Sequence, residues 1–293
     1  MKSKLLSIAA ILIVAAVTLA IWFFPPVNRE PISLLVENSE TLGRGEYLAH
    51  AAGCISCHLG EDNVSALSGG RQLVSDFGTF YVPNITPDVA TGIGEWDIRD
   101  VVVAIKHGRS PEGNYYFPAF PYRSYSSMGD EDAVAIATWL LSQPAVESVE
   151  PNHELPAPIW LARLAMGPWN RLADLLSPEF PEYEDQQIER GAYLVRTLGH
   201  CGECHTPRNA IGIPVYDSEF AGAPLLDGYV EAIDSQALEY WGEEDMAFFL
   251  LMGIKPNDDY VGGEMELVIE HNTAPLTQDD RNAIAAFLIR GQE

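Results

Sequence analysis

The longest apolar stretch of the chain lies at its amino terminus, where residues 5–24 carry no charge. As an α-helix, about 20 residues span about 30 Å, which is the thickness of a bilayer core. Lys2 and Lys4 precede this stretch and favour the cytoplasmic side. We therefore predict a transmembrane anchor helix within residues 1–26, in the cytoplasmic (inner) membrane, with the rest of the chain in the periplasm. A cleaved signal peptide is the competing interpretation.

Helical patterns recur at corresponding places in two parts of the chain. An Arg-Gly-x-Tyr-Leu segment begins an apolar helical face at Arg44 and again at Arg190. Residues 131–140 and 279–288 share acidic residues followed by alanines and large apolar residues. These similarities predict an internal duplication. The predicted units are a domain at 37–147, a proline-rich linker at 148–184 and a domain at 185–293.

Other segments predict individual elements. Helices are expected at Asp97–His107, which a glycine follows, and at Glu243–Met252. Residues 77–96 are rich in Gly, Pro, Asn, Asp and Thr and predict an irregular loop. The apolar segment Ile159–Leu176 contains arginines and is therefore not a second membrane span. It is interpreted as a linker helix packed across the domains, a helix on the membrane surface or a docking helix.

Every cysteine of the chain belongs to one of two Cys-x-x-Cys-His sequences. This sequence is the attachment signature of c-type haem. A disulfide, or a zinc site made of four thiolates, would not explain a histidine directly after each second cysteine. We predict two covalently bound haem c groups, each with an axial histidine. The predicted attachment residues are Cys54, Cys57, Cys201 and Cys204, and the predicted proximal ligands are His58 and His205.

The opposite face of each haem needs a second ligand, usually a methionine sulfur late in the domain. For the second haem we predict Met265, because two nearby glycines suit a loop pressed against a ring. For the first haem we predict Met128, since no other methionine lies between Cys54 and the end of that domain. His107 is its rival. Aligning the two domains on their last helices places Phe117 opposite Met265, and matching residues 118–120 with 263–265 places Phe120 there instead.

Composition adds a strongly acidic surface. The chain carries 17 Lys and Arg against 42 Asp and Glu, a formal net charge of −25. Such a surface repels nucleic acid and anionic lipid and favours a basic partner, or it serves only solubility. An apolar content of 47% is sufficient for packed cores. Arg208, just after the second signature, is predicted to bind a haem propionate, and an ordinary surface arginine is the alternative.

Several segments stand in the order of one known family: Asn84–Asp88, Pro118–Tyr122, Gly199–Arg208 and Gly262–Met265. The chain resembles the first two haem domains of the cytochrome c subunits of membrane-bound alcohol, gluconate and related dehydrogenases. The resemblance implies an all-α fold of two tandem class I cytochrome c domains, here behind a transmembrane helix, with histidine and methionine ligation. It also implies electron transfer from a dehydrogenase subunit towards quinone or a terminal oxidase.

The resemblance has two departures. Those subunits commonly carry a third haem domain and a C-terminal anchor, whereas this chain is expected to have two domains and an anchor at its front. The family also often has methionine where Phe120 stands. Some relatives have phenylalanine there and a methionine eight residues later, which matches Met128.

These observations favour an electron carrier with two haems over an enzyme. Two axial ligands on each iron leave no position for a substrate, and we predict no catalytic residue. The expected donor is a periplasmic dehydrogenase or another donor subunit. The expected acceptor is an oxidase, a quinone-linked complex or a soluble cytochrome. The alternative is a diheme redox enzyme, of peroxidase or thiosulfate dehydrogenase type, with an open or labile axial site on the first haem.

Overall fold

The computed structural model describes residues 2–26, 32–60, 67–225 and 228–292, with side chains from residue 7 onwards. Within these ranges the chain is mostly helical. The helices are α1 (Lys2–Phe23), α2 (Ser39–Ala51), α3 (Cys54–His58), α4 (Ile98–His107), α5 (Tyr122–Tyr125), α6 (Asp130–Leu141), α7 (Ile159–Leu176), α8 (Gln186–Ala192), α9 (Gly202–His205), α10 (Glu243–Met252), α11 (Glu264–Val268) and α12 (Gln278–Arg290). The strands are β1 (Gln72–Ser75), β2 (Gly78–Tyr81), β3 (Ala223–Leu225) and β4 (Gly228–Val230). Two π-helical turns cover Tyr193–Leu198 and Ile269–Thr273.

The prediction of a transmembrane helix is wrong. Among the residues described above, no helix is both long and apolar enough to cross a membrane. The side chains of Lys2 and Lys4, on which the predicted orientation rested, lie outside the described residues. The end of α1 packs on α7, where Nε of Arg171 donates a 2.6 Å hydrogen bond to the Trp22 carbonyl.

The prediction of an all-α chain also needs correction, because two antiparallel hairpins are present. Strands β1 and β2 pair in the first half of the chain, and β3 and β4 pair in the second. Strand β2 occupies the start of the predicted irregular loop 77–96. Its residue Thr79 exchanges two 2.9 Å backbone hydrogen bonds with Glu154 of the linker. Glu154 thus pairs with β2 like a residue of a third strand. This pairing stabilises a hairpin whose two strands are too short to be stable alone.

The first and last helices of each half cross at a glycine. Helix α2 packs on α6, and a Cβ on Gly45 would overlap the Ala135 carbonyl. Helix α8 packs on α12, and a Cβ on Gly191 would overlap the Ala283 carbonyl in the same way. Glycine therefore permits a close crossing in both halves. Buried residues of the two halves form one continuous hydrophobic cluster, so the halves are packed together rather than merely linked.

Helix α7 lies in the predicted linker and contacts both halves. The Tyr122 hydroxyl donates a 3.0 Å hydrogen bond to the Asn170 side chain. Nε1 of Trp169 donates a 2.8 Å bond to the Ile211 carbonyl in the second half. The linker therefore packs against both halves and stabilises their arrangement, as well as connecting them in sequence.

Candidate functional site

The first Cys-x-x-Cys-His sequence forms a tight turn of helix. Gly53 has a left-handed backbone, φ 69°, which lets the chain turn sharply from α2 into α3. Cys54 and Cys57 are free thiols one helical turn apart, and His58 follows directly. Nδ1 of His58 lies 2.8 Å from the Pro83 carbonyl oxygen. Since a carbonyl only accepts, Nδ1 carries the proton and Nε2 keeps a free lone pair for a metal.

The ionisation of this turn suits covalent haem. Burial lowers the pKa of His58 to about 4, so the imidazole is neutral at pH 7, as a metal ligand requires. Burial raises the pKa of the Cys54 thiol to about 12. A thioether bond to haem carries no charge, so it can occupy this buried position without a desolvation cost.

The second signature is built in the same way. Cys201 follows a π-helical turn and His200, whose backbone has a positive φ of 39°. Nδ1 of His205 lies 2.7 Å from the Glu231 carbonyl oxygen, which again leaves Nε2 free. Burial lowers the pKa of His205 and raises that of Cys201 to about 12. Both turns thus present two free sulfurs and one oriented imidazole, a donor set that fits haem c.

The predicted distal methionines occupy different environments. Met128 is 2% exposed and follows α5, where its N–H donates a 2.9 Å bond to the Tyr125 carbonyl. The Tyr125 hydroxyl in turn donates to the carbonyl of Ala52, two residues before Cys54. Met128 is therefore linked to the first turn through a single tyrosine.

Met265 is half-buried on the first turn of α11, just after Gly263, which has a φ of 64°. We expected a loop at this place, and the structure shows a short helix. The roles of both methionines as iron ligands stay predictions.

The remaining predicted residues are also placed. His107 is exposed at the end of α4, next to the ion pair between Lys106 and Asp130. Phe120 lies in an aromatic cluster, with its ring centroid 5.9 Å from that of Tyr125. Arg208 donates to the carbonyls of Gly212 (2.7 Å) and Glu203 (3.0 Å) and pairs with the Glu203 carboxylate. Its role towards a propionate stays a prediction.

The two turns meet inside the protein, which sequence reasoning did not foresee. The rings of Tyr125 and His200 pack edge to face, with centroids 5.5 Å apart. Gly53 approaches so closely that its Cβ, if present, would lie 3.3 Å from Nε2 of His200. Only the position of His200 beside the second signature hinted at a role. Arg71, which donates to the Ser56 carbonyl of the first turn, and Ser124, which donates to Glu203 of the second turn, gave no sequence signal because their partners lie in other segments.

Comparison with known proteins agrees with this arrangement. The chain is 39% identical over 297 residues to a protein of Cereibacter sphaeroides named "Diheme cytochrome c-type", covering 99% of this chain and 98% of that one. It is 34% identical over 265 residues to the gluconate 2-dehydrogenase cytochrome c subunit of Pantoea cypripedii, covering 86% and 59%. It is 32% identical over 254 residues to the fructose dehydrogenase cytochrome subunit of Gluconobacter japonicus, covering 85% and 52%.

No profile of a known protein family matches the chain. The paired attachment turns and these relatives nevertheless define the class, which is a c-type cytochrome. The chain belongs to the family of diheme c-type cytochromes that includes the cytochrome subunits of several dehydrogenases. It spans little more than half the length of those dehydrogenase subunits and almost the whole of the diheme relative.

Proposed function

We propose that the protein binds two haem c groups covalently and transfers electrons from a dehydrogenase to the respiratory chain. One observation carries the proposal. Two Cys-x-x-Cys-His turns, each with its histidine oriented by a backbone carbonyl, lie against one another in a single core. The names of the relatives support the same function, since several are cytochrome subunits of dehydrogenases.

The chain's own residues would bind and orient the haems. Cys54 and Cys57, with Cys201 and Cys204, would form the thioethers. Each histidine holds its Nδ1 proton on a carbonyl and offers Nε2 to iron. A bound haem c would supply a one-electron iron couple at each turn. Met128 and Met265 would complete the coordination, which favours electron transfer over substrate binding.

The proposed location is the periplasm, where c-type haem is attached. The proposed donor is a dehydrogenase subunit, and the acceptor an oxidase, a quinone-linked complex or a soluble cytochrome. The net charge of −25 favours a donor or acceptor with a basic docking surface. Association should then weaken as salt is added, because exposed charges are screened beyond about 10 Å at 0.1 M ionic strength.

Binding of carbon monoxide distinguishes an electron carrier, whose irons have two axial ligands, from an enzyme with an open axial position. The full chain, produced with its haems, is reduced and its visible spectrum is recorded with and without carbon monoxide. A carrier with two axial ligands on each iron shows no shift. A shift of one haem would instead support the diheme redox enzyme with an open site. Co-purification followed by mass spectrometry identifies the donor, and recovery without any dehydrogenase would contradict the proposed partner.

A further inference from the structure

Arg71 lies between the two candidate haem sites. Its side chain is 20% exposed, and its Nη1 donates a 2.8 Å hydrogen bond to the Ser56 carbonyl, between the two cysteines of the first turn. Its Nη2 forms an ion pair with the carboxylate of Glu264. Glu264 directly precedes Met265, the predicted distal ligand of the second haem. One guanidinium therefore contacts the attachment turn of one site and the distal segment of the other.

The segment that carries Met265 is held at its C-terminal end, where α11 continues into the π-helical turn Ile269–Thr273 and the buried side chain of Ile269. It begins after Gly262 and Gly263, neither of which has any atom near its missing Cβ, and α11 covers only Glu264–Val268. A pair of glycines before a short helix does not fix the start of that helix by side-chain packing, so a contact at Glu264 bears directly on the position of Met265. Arg71 supplies such a contact from the opposite half of the protein.

The charge of Arg71 also reaches both sites. Arginine stays protonated at all relevant pH values, so its charge is permanent. The guanidinium contacts the Ser56 carbonyl, between the first pair of cysteines, and the Glu264 carboxylate beside Met265, so its charge lies close to both sites. A fixed positive charge near a redox centre favours the reduced form, because reduction removes one unit of positive charge from that centre.

We propose that Arg71 is a positioning residue that couples the two haems, by holding the Met265 segment against the first attachment turn and by raising both reduction potentials. The inference rests on the proposed function. It adds a physical link between the two sites, so that a structural change at the first attachment turn alters the position of the Met265 segment. Arg71 would contact neither an electron donor nor an acceptor, so its effect is on the haems themselves.

Four variants of the full chain with its haems test the proposal. Arg71→Gln removes the positive charge and the guanidinium, whose two nitrogens contact Ser56 and Glu264. Arg71→Lys keeps the positive charge without the guanidinium. Glu264→Gln removes the negative charge of the ion pair. Arg290→Gln is the control, because it loses ion pairs with Glu243 and Asp185 at the end of α12 and contacts neither attachment turn among the described ion pairs. Redox titration gives both midpoint potentials, and the methionine-to-iron(III) absorption band reports ligation by Met265.

We expect Arg71→Gln to lower both potentials and to weaken the methionine band of the second haem. Glu264→Gln should weaken the same band, and in molecules that keep the methionine ligand it should raise the potential of the second haem, because it removes a negative charge. Arg71→Lys should keep the potential of the first haem near that of the unmodified protein and still weaken the band, since an ammonium cannot make both guanidinium contacts at once. Arg290→Gln should change none of these quantities.

The proposal is overturned if Arg71→Gln shifts only the first haem, or if it behaves like Arg290→Gln. If Arg71→Gln does not load haem, the opposite shift expected for Glu264→Gln still decides, and its absence counts against the coupling. The haem content of the unmodified protein tests the proposed function separately. If the unmodified protein binds two haems and Arg71→Gln changes neither potential nor the methionine band, the proposed function is retained and only this inference is refuted.

Discussion

The hydroxyl of Tyr47 donates a 2.5 Å hydrogen bond to Oδ2 of Asp280, joining the first helix of one half to the last helix of the other. Arg190, from Asp280's own half, binds the same carboxylate through Nε (2.9 Å) and Nη2 (2.7 Å). The relationship is reciprocal, because the Tyr193 hydroxyl donates a 2.7 Å bond to Asp132. Arg44 binds that aspartate at 2.6 Å. In each Arg-Gly-x-Tyr segment, the arginine therefore binds an aspartate of its own half, and the tyrosine binds the corresponding aspartate of the other half.

Removing the tyrosine hydroxyls should loosen the two halves. We expect Tyr47→Phe and Tyr193→Phe each to lower the free energy of unfolding by about 1.5–3 kcal/mol, the range for a hydrogen bond to a charged group. Chemical denaturation of the holoprotein measures the change. Tyr240→Phe is the control, because Tyr240 is 89% exposed and should have almost no effect. Equal stability of all three variants would contradict the interlocking role.

The close helix crossing predicts opposite effects of alanine at two glycines of α2. Gly45→Ala should destabilise the protein by about 1–3 kcal/mol, because the new methyl group meets the Ala135 carbonyl of α6. Gly43→Ala lies in the same helix with no atom near the added methyl group. It should stabilise by up to about 1 kcal/mol through helix propensity. Thermal unfolding compares them, and a Gly45→Ala protein as stable as Gly43→Ala would refute the crossing geometry.

The Asp280 carboxylate predicts a specific loss of stability in acid. Burial alone would raise the pKa of Asp280, but the hydrogen bonds from Arg190 and Tyr47 outweigh it, so the folded pKa is lowered. A lowered pKa adds stability above the unfolded value of about 3.9, and that stability is lost as pH falls through the folded pKa.

The unfolding free energies of the unmodified protein and Asp280→Asn should therefore differ at pH 7 and converge below about pH 4. Asp279→Asn, one residue earlier and exposed, removes a charge without breaking these bonds and serves as control. A difference that stays constant from pH 7 to pH 3 would count against a lowered pKa.

The distal ligands can be assigned by substitution. Met128→Ala should open the first haem to carbon monoxide, and Met265→Ala should open the second, each with loss of its methionine-to-iron(III) band. Met252→Ala, at a residue that is 51% exposed, should leave both haems unchanged. If Met128→Ala leaves the first haem closed, its ligand is another residue, and His107→Ala is the next variant to measure.

Local signals predicted local structure well. Helices expected at Ile159–Leu176 and Glu243–Met252 have those bounds in the structure. The helix expected from Asp97 begins one residue later, because Asp97 is the N-cap that accepts from the Asp100 N–H. These elements follow from periodicity and capping within a few neighbouring residues.

Interactions between distant residues could not be predicted. Tyr47 and Asp280 are 233 positions apart, and no sequence pattern around either residue indicates that the two form a hydrogen bond. Strand β1 contains only Gln72–Ser75, which is too short to show alternation. The transmembrane prediction rested on the apolar length of residues 5–24 and on Lys2 and Lys4, whereas none of the helices described here is long and apolar enough to cross a membrane.

Covalent haem content tests the central claim most directly. The protein is purified from a host that attaches c-type haem, and haem is quantified per chain after extraction with acidic acetone, which removes only haem that is not covalently bound. We predict two haems retained per chain, with one retained in each double variant, Cys54→Ala with Cys57→Ala and Cys201→Ala with Cys204→Ala. Complete extraction of haem, or one haem in the unmodified protein, would contradict the account.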